Sequence, residues 1–351
     1  MKNFSRLYYW IFGAVMIAGL LLGACLLSLP DGRLHVYVLD VGQGDSILIR
    51  APTGEFILVD GGPDAAVVAQ IDRVMPFYER RIDLMILSHP HADHVNGLVE
   101  VLKRYDVKQV MMTGVLYKFA GYLAFLEQIN QQKIPVVFAG ARNVGTNGAQ
   151  DLNSVMGKQN SANNGSADYR LGNLFFDMIF PLQSLQGKTF ENHNNGSIVF
   201  RLIYGQKVFY FTGDAELQEE EKILAARIGP DDELRPGSNA GLQPGSNNAL
   251  RLDLRADFLK VGHHGSKTSS SEALLDRMKP LYASISDGLQ NKFKHPHAET
   301  IEHLMARKIE ILRTDLDGMI EAVSDGNDLQ VRTLGKGSQR RRAHFRGGLA
   351  R

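Results

Sequence analysis

The seven residues Ser88–His94 constrain this chain more than any other segment. They read Ser-His-Pro-His-Ala-Asp-His and lie between a short apolar run, Leu84–Leu87, and a segment with helical periodicity, Val95–Tyr105. A bend at the proline allows His89 and His91 to direct both imidazoles at one cation. A cluster of surface histidines that only caps a helix is the alternative, but a strand followed by this spacing and a helix is far more specific than that.

Asp93 and His94 follow at the start of the predicted helix, where they can serve a second cation a few ångströms away. Neutral imidazole and carboxylate are the ligands that borderline divalent metals prefer. The single cysteine, Cys25, lies in the apolar N-terminal run, so the rest of the chain has no thiolate for a metal and no disulfide. The segment therefore predicts a two-metal site held by imidazoles and carboxylates.

The rest of the chain alternates short β-forming runs with helical segments, which predicts a layered α/β architecture. The predicted helices are Ala65–Met75, Val95–Tyr105 and Phe119–Gln131. The predicted strands are Leu34–Leu39, Ser46–Ile49, Phe56–Val59, Leu84–Leu87, Val107–Met112, Ile134–Phe138, Leu174–Ile179, Ile198–Ile203, Val208–Phe211, Phe258–Val261, Tyr282–Ser286, Glu310–Leu312, Met319–Val323 and Leu329–Val331.

Six segments, taken in order, resemble the metallo-β-lactamase superfamily. The likeness runs from about Leu34 to about Leu334, and within the superfamily it is strongest to the metallo-hydrolase domain of ComEC-type competence proteins and their stand-alone relatives. The matching segments are Leu39–Ser46, Val59–Gly62, Ser88–His94, Thr212–Asp214, Lys260–Ser266 and Asn291–Pro296. One departure is Lys294, which stands where a glycine is frequent.

This resemblance implies an αββα sandwich and two divalent metal ions, Zn²⁺ first and Mn²⁺ as the alternative. It implies that Asp214 bridges the metals and that His264 is a ligand of the second, with His263 the second choice. Asp60 would support the metal-binding loop, and Asp45 and Asn291 would support the site. Taken alone, Asp214 could instead be the N-cap of a helix over Ala215–Ala226.

The third motif departs from the superfamily pattern, in which a histidine often completes the first metal site. This chain reads His193-Asn194-Asn195-Gly196-Ser197. Asn194 and Ser197 fit the Asn-x-x-Ser of the ComEC-like group, whereas His193 stands four residues before the serine, as a superfamily ligand would. Both His193 and Asn194 therefore remain candidate ligands.

The leading functional hypothesis is hydrolysis of phosphodiesters, with DNA as the substrate that the resemblance implies. Two metals generate hydroxide near neutral pH, and Asp93 is placed to orient it. The charge that builds up on the phosphoryl group would be contacted by His295, Ser266 and Lys267. Two alternatives remain: hydrolysis of a lactone, thioester or β-lactam, and a non-catalytic nucleic-acid-binding module of a competence assembly.

The N-terminal run Leu7–Leu29 contains no charged residue and, at 23 residues, is long enough to cross a bilayer. Lys2 and Arg6 precede it, which predicts a cytoplasmic N-terminus and an extracytoplasmic remainder. An uncleaved signal anchor is the first interpretation, because the run exceeds a usual signal core. A lipoprotein anchored at Cys25 and a cleaved secretory signal are the alternatives.

These observations predict three parts: a transmembrane segment 1–30, a hydrolase domain 31–334 and a basic tail 335–351. Two stretches rich in Gly, Asn and Ser, near 145–167 and 230–248, are predicted to be loops or insertions. The tail holds six Lys and Arg residues and no acid, so the rest of the chain carries a net charge of −5. Only the tail therefore supports a polyanion partner on charge alone. The sequence gives no indication of the oligomeric state.

Overall fold

The computed structural model describes residues 2–140, 169–228, 250–251 and 253–335. The predicted insertions 145–167 and 230–248 lie outside the described residues, and so does the tail after Gly335. The division into segments 1–30, 31–334 and 335–351 therefore stays a prediction.

Strands and helices alternate along the described chain. In order they are α1 (Lys2–Leu27), β1 (Leu34–Val38), β2 (Ile47–Arg50), β3 (Phe56–Val59), α2 (Ala66–Asp72), β4 (Arg81–Ile82), β5 (Leu84–Ile86), α3 (Ala92–Leu102), β6 (Asp106–Val107), β7 (Val110–Met112), α4 (Ala120–Gln132), β8 (Val136–Phe138), β9 (Tyr169–Leu171), β10 (Leu174–Phe180), β11 (Val199–Tyr204), β12 (Lys207–Phe211), α5 (Leu217–Ala225), β13 (Arg227–Ile228), β14 (Leu250–Arg251), β15 (Phe258–Lys260), α6 (Glu272–Met278), β16 (Tyr282–Ile285), α7 (Ala298–Ala306), β17 (Glu310–Arg313), α8 (Thr314–Asp317), β18 (Ile320–Ser324) and β19 (Leu329–Thr333).

Two mixed sheets contain most of the described strands. Eight strands form one sheet in the order β19-β18-β1-β2-β3-β5-β7-β8, and seven form the other in the order β17-β16-β15-β12-β11-β10-β9. The first is parallel from β3 to β8, and the second is parallel from β12 to β17. Parallel strands require crossover connections, and the helices α2 to α7 each lie within one of them.

Three apolar layers hold the domain together. The middle layer lies between the two sheets and includes Ile57, Ile86, Phe200 and Phe209. A second layer packs α2, α3 and α4 on the outer face of the eight-stranded sheet. A third packs α5, α6 and α7 on the outer face of the other sheet. This is the predicted αββα sandwich.

One helix, Lys2–Leu27, precedes the sandwich. Its stretch Tyr8–Leu26 has a mean hydropathy of 2.1, and none of that stretch is buried against the domain. It is long and apolar enough to cross a membrane, as Leu7–Leu29 predicts. At its end, the Ser28 carbonyl accepts a hydrogen bond from Arg50 at 2.6 Å.

The start of α3 packs directly on the loop after β3, and this contact positions the histidine motif. A Cβ atom on Gly97 would lie 1.7 Å from the Gly61 carbonyl oxygen, so only glycine fits there. Gly61 N–H donates to the His94 carbonyl at 2.8 Å, and Gly97 N–H donates to the Gly62 carbonyl at 3.0 Å. The backbone of the helix is therefore locked to the loop that carries Asp60.

Candidate metal centre

The chemically active side chains follow the carboxyl ends of neighbouring strands in both sheets. The segment Ser88–His94 follows β5, Asp214 follows β12, and His263 and His264 follow β15. Because β3 and β5 are parallel, as are β12 and β15, these loops meet at one edge of the sandwich. The candidate ligands therefore lie together at this edge.

Asp214 lies at the centre of a ring of histidines. Its Oδ2 atom lies 3.4 Å from Nε2 of His94 and 3.5 Å from Nε2 of His264. The same oxygen lies 3.8 Å from Nε2 of His89 and 3.9 Å from Nε2 of His263. Asp214 is buried and is not the N-cap of α5, which is Glu216. One carboxylate oxygen thus faces four imidazole nitrogens, as a bridging ligand would.

Asp93 and His91 extend this ring on opposite sides and define two groups of candidate ligands. Asp93 Oδ2 lies 3.3 Å from His264 Nε2, so Asp93, His94, His264 and Asp214 form one group whose ligand atoms all lie within 4.8 Å of one another. On the other side, His91 Nδ1 lies 3.1 Å from His89 Nε2. The first group corresponds to the predicted second metal site, and the histidine pair to the predicted first.

The buried polar atoms of this centre fit bound cations. Among the described residues, Nε2 of His94, Nε2 of His264 and Oδ1 of Asp214 are buried and have no hydrogen-bond partner. Leaving such atoms unsatisfied costs about 1–3 kcal/mol each. Imidazole nitrogens and carboxylate oxygens at this spacing are a donor set that Zn²⁺ and similar divalent ions accept.

The charges within the centre are strongly coupled. Although burial opposes it, Asp214 and Asp60 raise the pKa of His94 well above its usual range. Burial likewise opposes the effect of Asp214 and Asp45 on His264, yet its pKa rises to about 10. Without a metal, protons on His94 and His264 balance the negative charge of the nearby carboxylates. A cation that binds there would have to displace these protons.

The other two histidines of the motif behave differently. Burial, as the largest cause, lowers the pKa of His89 well below its usual value. Burial also lowers the pKa of His91. Both imidazoles are therefore neutral near pH 7, which is the form that binds metals.

Two buried carboxylates hold the ligand histidines in place. Asp60 Oδ2 lies 2.8 Å from Nδ1 of His94, and its Oδ1 accepts a 2.8 Å hydrogen bond from Ser88 N–H. Asp45 forms an ion pair with the buried Lys260, and its Oδ1 lies 3.5 Å from Nδ1 of His264. These contacts support the predicted positions of Asp60 and Asp45 beside the site. Lys260 is an addition that the sequence motif did not single out.

The backbone at His263 has an unusual conformation. His263 and His264 both have left-handed φ angles, 45° and 53°, which are rare for residues other than glycine. His263 Nδ1 lies 3.0 Å from Glu216 Oε1, which leaves its Nε2 facing Asp214. A histidine with a carboxylate at one ring nitrogen and candidate ligand atoms facing the other is typical of a metal ligand.

Glu216 links His263 to the third motif. Its Oε1 accepts a 2.9 Å hydrogen bond from Asn194 Nδ2, and its Oε2 accepts one from Asn192 at 3.1 Å. Asn194 is buried, its Nδ2 lies 3.4 Å from His263 Nε2, and its Oδ1 has no partner among the described residues. Sequence reasoning missed Glu216, because no motif contains it.

His193 lies beside the centre and against an aromatic ring. Its ring centroid is 3.8 Å from that of Tyr117 and 6.0 Å from that of His91. Within the described part of the chain, Asp214 makes ion pairs with four histidines, and His193 is not among them. The geometry therefore brings His263, and not His193, to the carboxylate of Asp214.

The loop after β16 brings His295 close to His263 and His264. The ring of His295 lies 5.5 Å from His263 and 6.2 Å from His264, measured between centroids. Asn291 donates to the His295 carbonyl at 2.7 Å and accepts from His295 N–H at 3.0 Å. Burial and the nearby charges of His264 and His263 lower the pKa of His295 to about 4, so it is neutral at pH 7.

Ser266 and Lys267 lie further from the ring. Ser266 is buried, and its Oγ lies 3.0 Å from Thr268 Oγ1. The Lys267 side chain is exposed, and its backbone N–H donates to His297 Nδ1 at 3.1 Å. No described contact brings either side chain to the ligand atoms, so their catalytic roles stay predictions.

The family assignment follows from comparison with known proteins. A family model described as "Metallo-beta-lactamase superfamily" matches residues 39–285. The chain is 25% identical over 306 residues to "ComE operon protein 3" of Bacillus subtilis (strain 168), a match that covers 82% of this chain and 32% of that protein. It is 26% identical over 294 residues to "Competence protein ComA" of Neisseria gonorrhoeae, with 84% and 33% covered. The chain thus spans about a third of the length of these relatives.

Among solved structures, one match is Igni18, described as "a novel metallo hydrolase" from the archaeon Ignicoccus hospitalis KIN4/I. It is 11% identical with a TM-score of 0.43, and the match covers 82% of this chain and 98% of that one. The assignment itself rests on the family model, which spans more than half of the chain and includes the candidate ligands from His89 to His264. This chain belongs to the metallo-β-lactamase superfamily of metal-dependent hydrolases, and its relatives include competence proteins.

Proposed function

We propose that the chain is a metal-dependent phosphodiesterase that cuts DNA outside the cytoplasm. The observation that carries the proposal is the ring of four imidazole nitrogens, 3.4–3.9 Å from one Asp214 oxygen, with Asp93 beside it. Competence relatives that match most of this chain support DNA as the substrate. Since the chain spans only about a third of those relatives, their activities as whole proteins belong to this proposal alone.

In this proposal two cations would share Asp214. His89, His91 and His263 would hold the first, with Asn194 as an additional amide oxygen donor. Asp93, His94 and His264 would hold the second. Such ions, Zn²⁺ or Mn²⁺, would lower the pKa of a water molecule and polarise a phosphoryl oxygen.

The protein's own groups orient the reactants. Although burial opposes it, the nearby imidazoles of His264 and His94 lower the pKa of Asp93, so its carboxylate is ionised at neutral pH. It can then accept a hydrogen bond from the attacking water and hold it on the phosphorus. The neutral His295 can donate a hydrogen bond to a phosphoryl oxygen as charge develops there. Ser266 and Lys267 keep the same assignment as predicted contacts of the phosphoryl group.

The proposed location rests on α1. Its apolar stretch Tyr8–Leu26 would anchor the chain as a single-pass membrane protein. Lys2 and Arg6 favour a cytoplasmic N-terminus, which places the hydrolase domain outside. A lipid attached at Cys25 is the alternative anchor, and mass spectrometry of the membrane-extracted chain distinguishes the two.

The test is an assay of the full chain in detergent, supplied with Zn²⁺ or Mn²⁺. Substrates are single-stranded DNA, double-stranded DNA, a simple phosphodiester, a lactone, a thioester and a chromogenic cephalosporin. We expect cleavage of DNA that a chelator abolishes and added metal restores. Turnover of a carbonyl substrate without phosphodiester cleavage would instead identify a carbonyl hydrolase. Binding of DNA without any cleavage would identify a non-catalytic module.

A further inference from the structure

An exposed aromatic ring lies next to the metal centre. Phe293, in the loop after β16, is 48% exposed, whereas the large apolar side chains of the nearby core are buried. Its ring is stacked with that of His295, with centroids 5.7 Å apart and planes at 22°. His295 in turn lies 5.5 Å from His263. One histidine thus separates the exposed ring from the candidate ligands.

The loop that presents Phe293 is held by a dense set of hydrogen bonds. Asn291 Oδ1 accepts from Phe293 N–H at 3.1 Å and from His295 N–H at 3.0 Å. Asn291 Nδ2 donates to Asp287 Oδ1 at 2.8 Å and to the Gly288 carbonyl at 3.0 Å. A ring held in this way loses little conformational entropy when a planar group stacks on it.

Lysines flank Phe293 in sequence. Lys292 Nζ lies 4.9 Å from the Phe293 ring centroid, and the next residue, Lys294, is exposed. An aromatic ring flanked by lysines binds a base through its face and the adjoining phosphates through charge. Bases within a duplex are already stacked on one another, so only an unpaired base can use such a ring.

We infer that Phe293, with Lys292 and His295, forms a platform on which an unpaired nucleobase stacks, so that the centre accepts single-stranded nucleic acid. This inference rests on the proposed function and specifies its substrate class. The base stacks on Phe293, Lys292 contacts a phosphate, and the next phosphodiester lies toward His295 and the ligand ring.

The test is binding of the metal-free full chain in detergent to fluorescein-labelled 12-mers, followed by anisotropy. One strand is oligo-dT, and the other is an abasic strand of the same length, which keeps the phosphates and lacks bases. Phe293→Ala is compared with Phe293→Tyr, which keeps a stacking ring, and with Phe77→Ala, which removes another exposed phenyl ring.

We expect Phe293→Ala to weaken binding of oligo-dT by about 5- to 100-fold and to leave the abasic strand unchanged, since stacking on one aromatic ring contributes on that scale. Phe293→Tyr and Phe77→Ala should bind both strands as the wild type does. Unchanged oligo-dT binding in Phe293→Ala would overturn the inference, and so would an equal loss for both strands. Because binding is measured without metal, the inference can fail while DNA hydrolysis is observed, and the reverse.

Discussion

Replacement of His263 by alanine tests which histidine completes the first metal site. His263 Nε2 lies 3.9 Å from Oδ2 of Asp214, and its Nδ1 lies 3.0 Å from Oε1 of Glu216. Loss of a group that only orients a ligand typically costs 10–100-fold in metal affinity. Loss of the ligand itself should therefore weaken one of two ions by at least about tenfold, or about 1.4 kcal/mol.

His193→Ala is the matched control. It removes a histidine close to the centre, but one whose ring centroid lies 3.8 Å from that of Tyr117 and that makes no ion pair with Asp214 in the described part of the chain. We expect it to lose an aromatic contact of about 0.5–1.5 kcal/mol and to keep both ions. Glu216→Gln should fall between the two, because it retains a hydrogen-bonding group beside His263 while removing the charge.

The assay is metal content after dialysis and competitive titration with a chromophoric chelator, for each variant beside the wild type. The reasoning is refuted if His193→Ala loses one ion while His263→Ala keeps two ions at wild-type affinity. That result would restore the superfamily pattern in which the third motif supplies the ligand. Loss in Asn194→Ala alone would assign the position to the amide.

Three further predictions address the reaction and the scaffold. Asp93→Ala should lower DNA hydrolysis by about 100-fold or more with the fold intact, because the carboxylate faces the ligand atoms; activity above about a tenth of wild type would count against its role. Asp287 is buried, and burial together with the charge of Asp315 raises its pKa to about 7. The uncharged form of Asp287, which stabilises the fold, is therefore present at pH 4 and is lost as the pH rises through about 7. In urea unfolding, Asp287→Asn should leave the stability unchanged at pH 4 and raise it by about 1–3 kcal/mol at pH 8. Equal effects at both pH values would contradict this. Gly97→Ala should destabilise the fold by about 1–3 kcal/mol and reduce hydrolysis, since its Cβ would lie 1.7 Å from the Gly61 carbonyl; a wild-type melting temperature would refute the close contact.

Much of the fold could be predicted because its strands are short buried runs. Phe56–Val59 is predicted at the bounds that the structure has, and Leu34, Leu84 and Leu174 each begin a strand as predicted. Helix ends were less accurate: α3 begins at Ala92 and not at Val95, because its first turn is made by the metal-binding motif itself. The short helices α6 and α7 were not predicted, since seven and nine residues give a weak periodic signal.

The candidate site was predictable where ligands are adjacent in sequence and not where they depend on tertiary contacts. The segment His89–His94 and the Asp214 turn carry recognisable spacing. The direction of the His263 ring depends on a left-handed backbone and on Glu216, which comes from a different loop. Glu216, Asn194 and Phe293 have no characteristic spacing in the sequence. Their positions near the site therefore become clear only in the folded chain.

The most direct test of the account is anomalous diffraction at the zinc edge from crystals of the full chain grown with Zn²⁺. The account predicts two peaks about 3.5–4 Å apart, the usual spacing in two-metal sites. Asp214 should lie between them, with His89, His91 and His263 around one and Asp93, His94 and His264 around the other. A single peak, or peaks that do not share Asp214, would contradict the central claim.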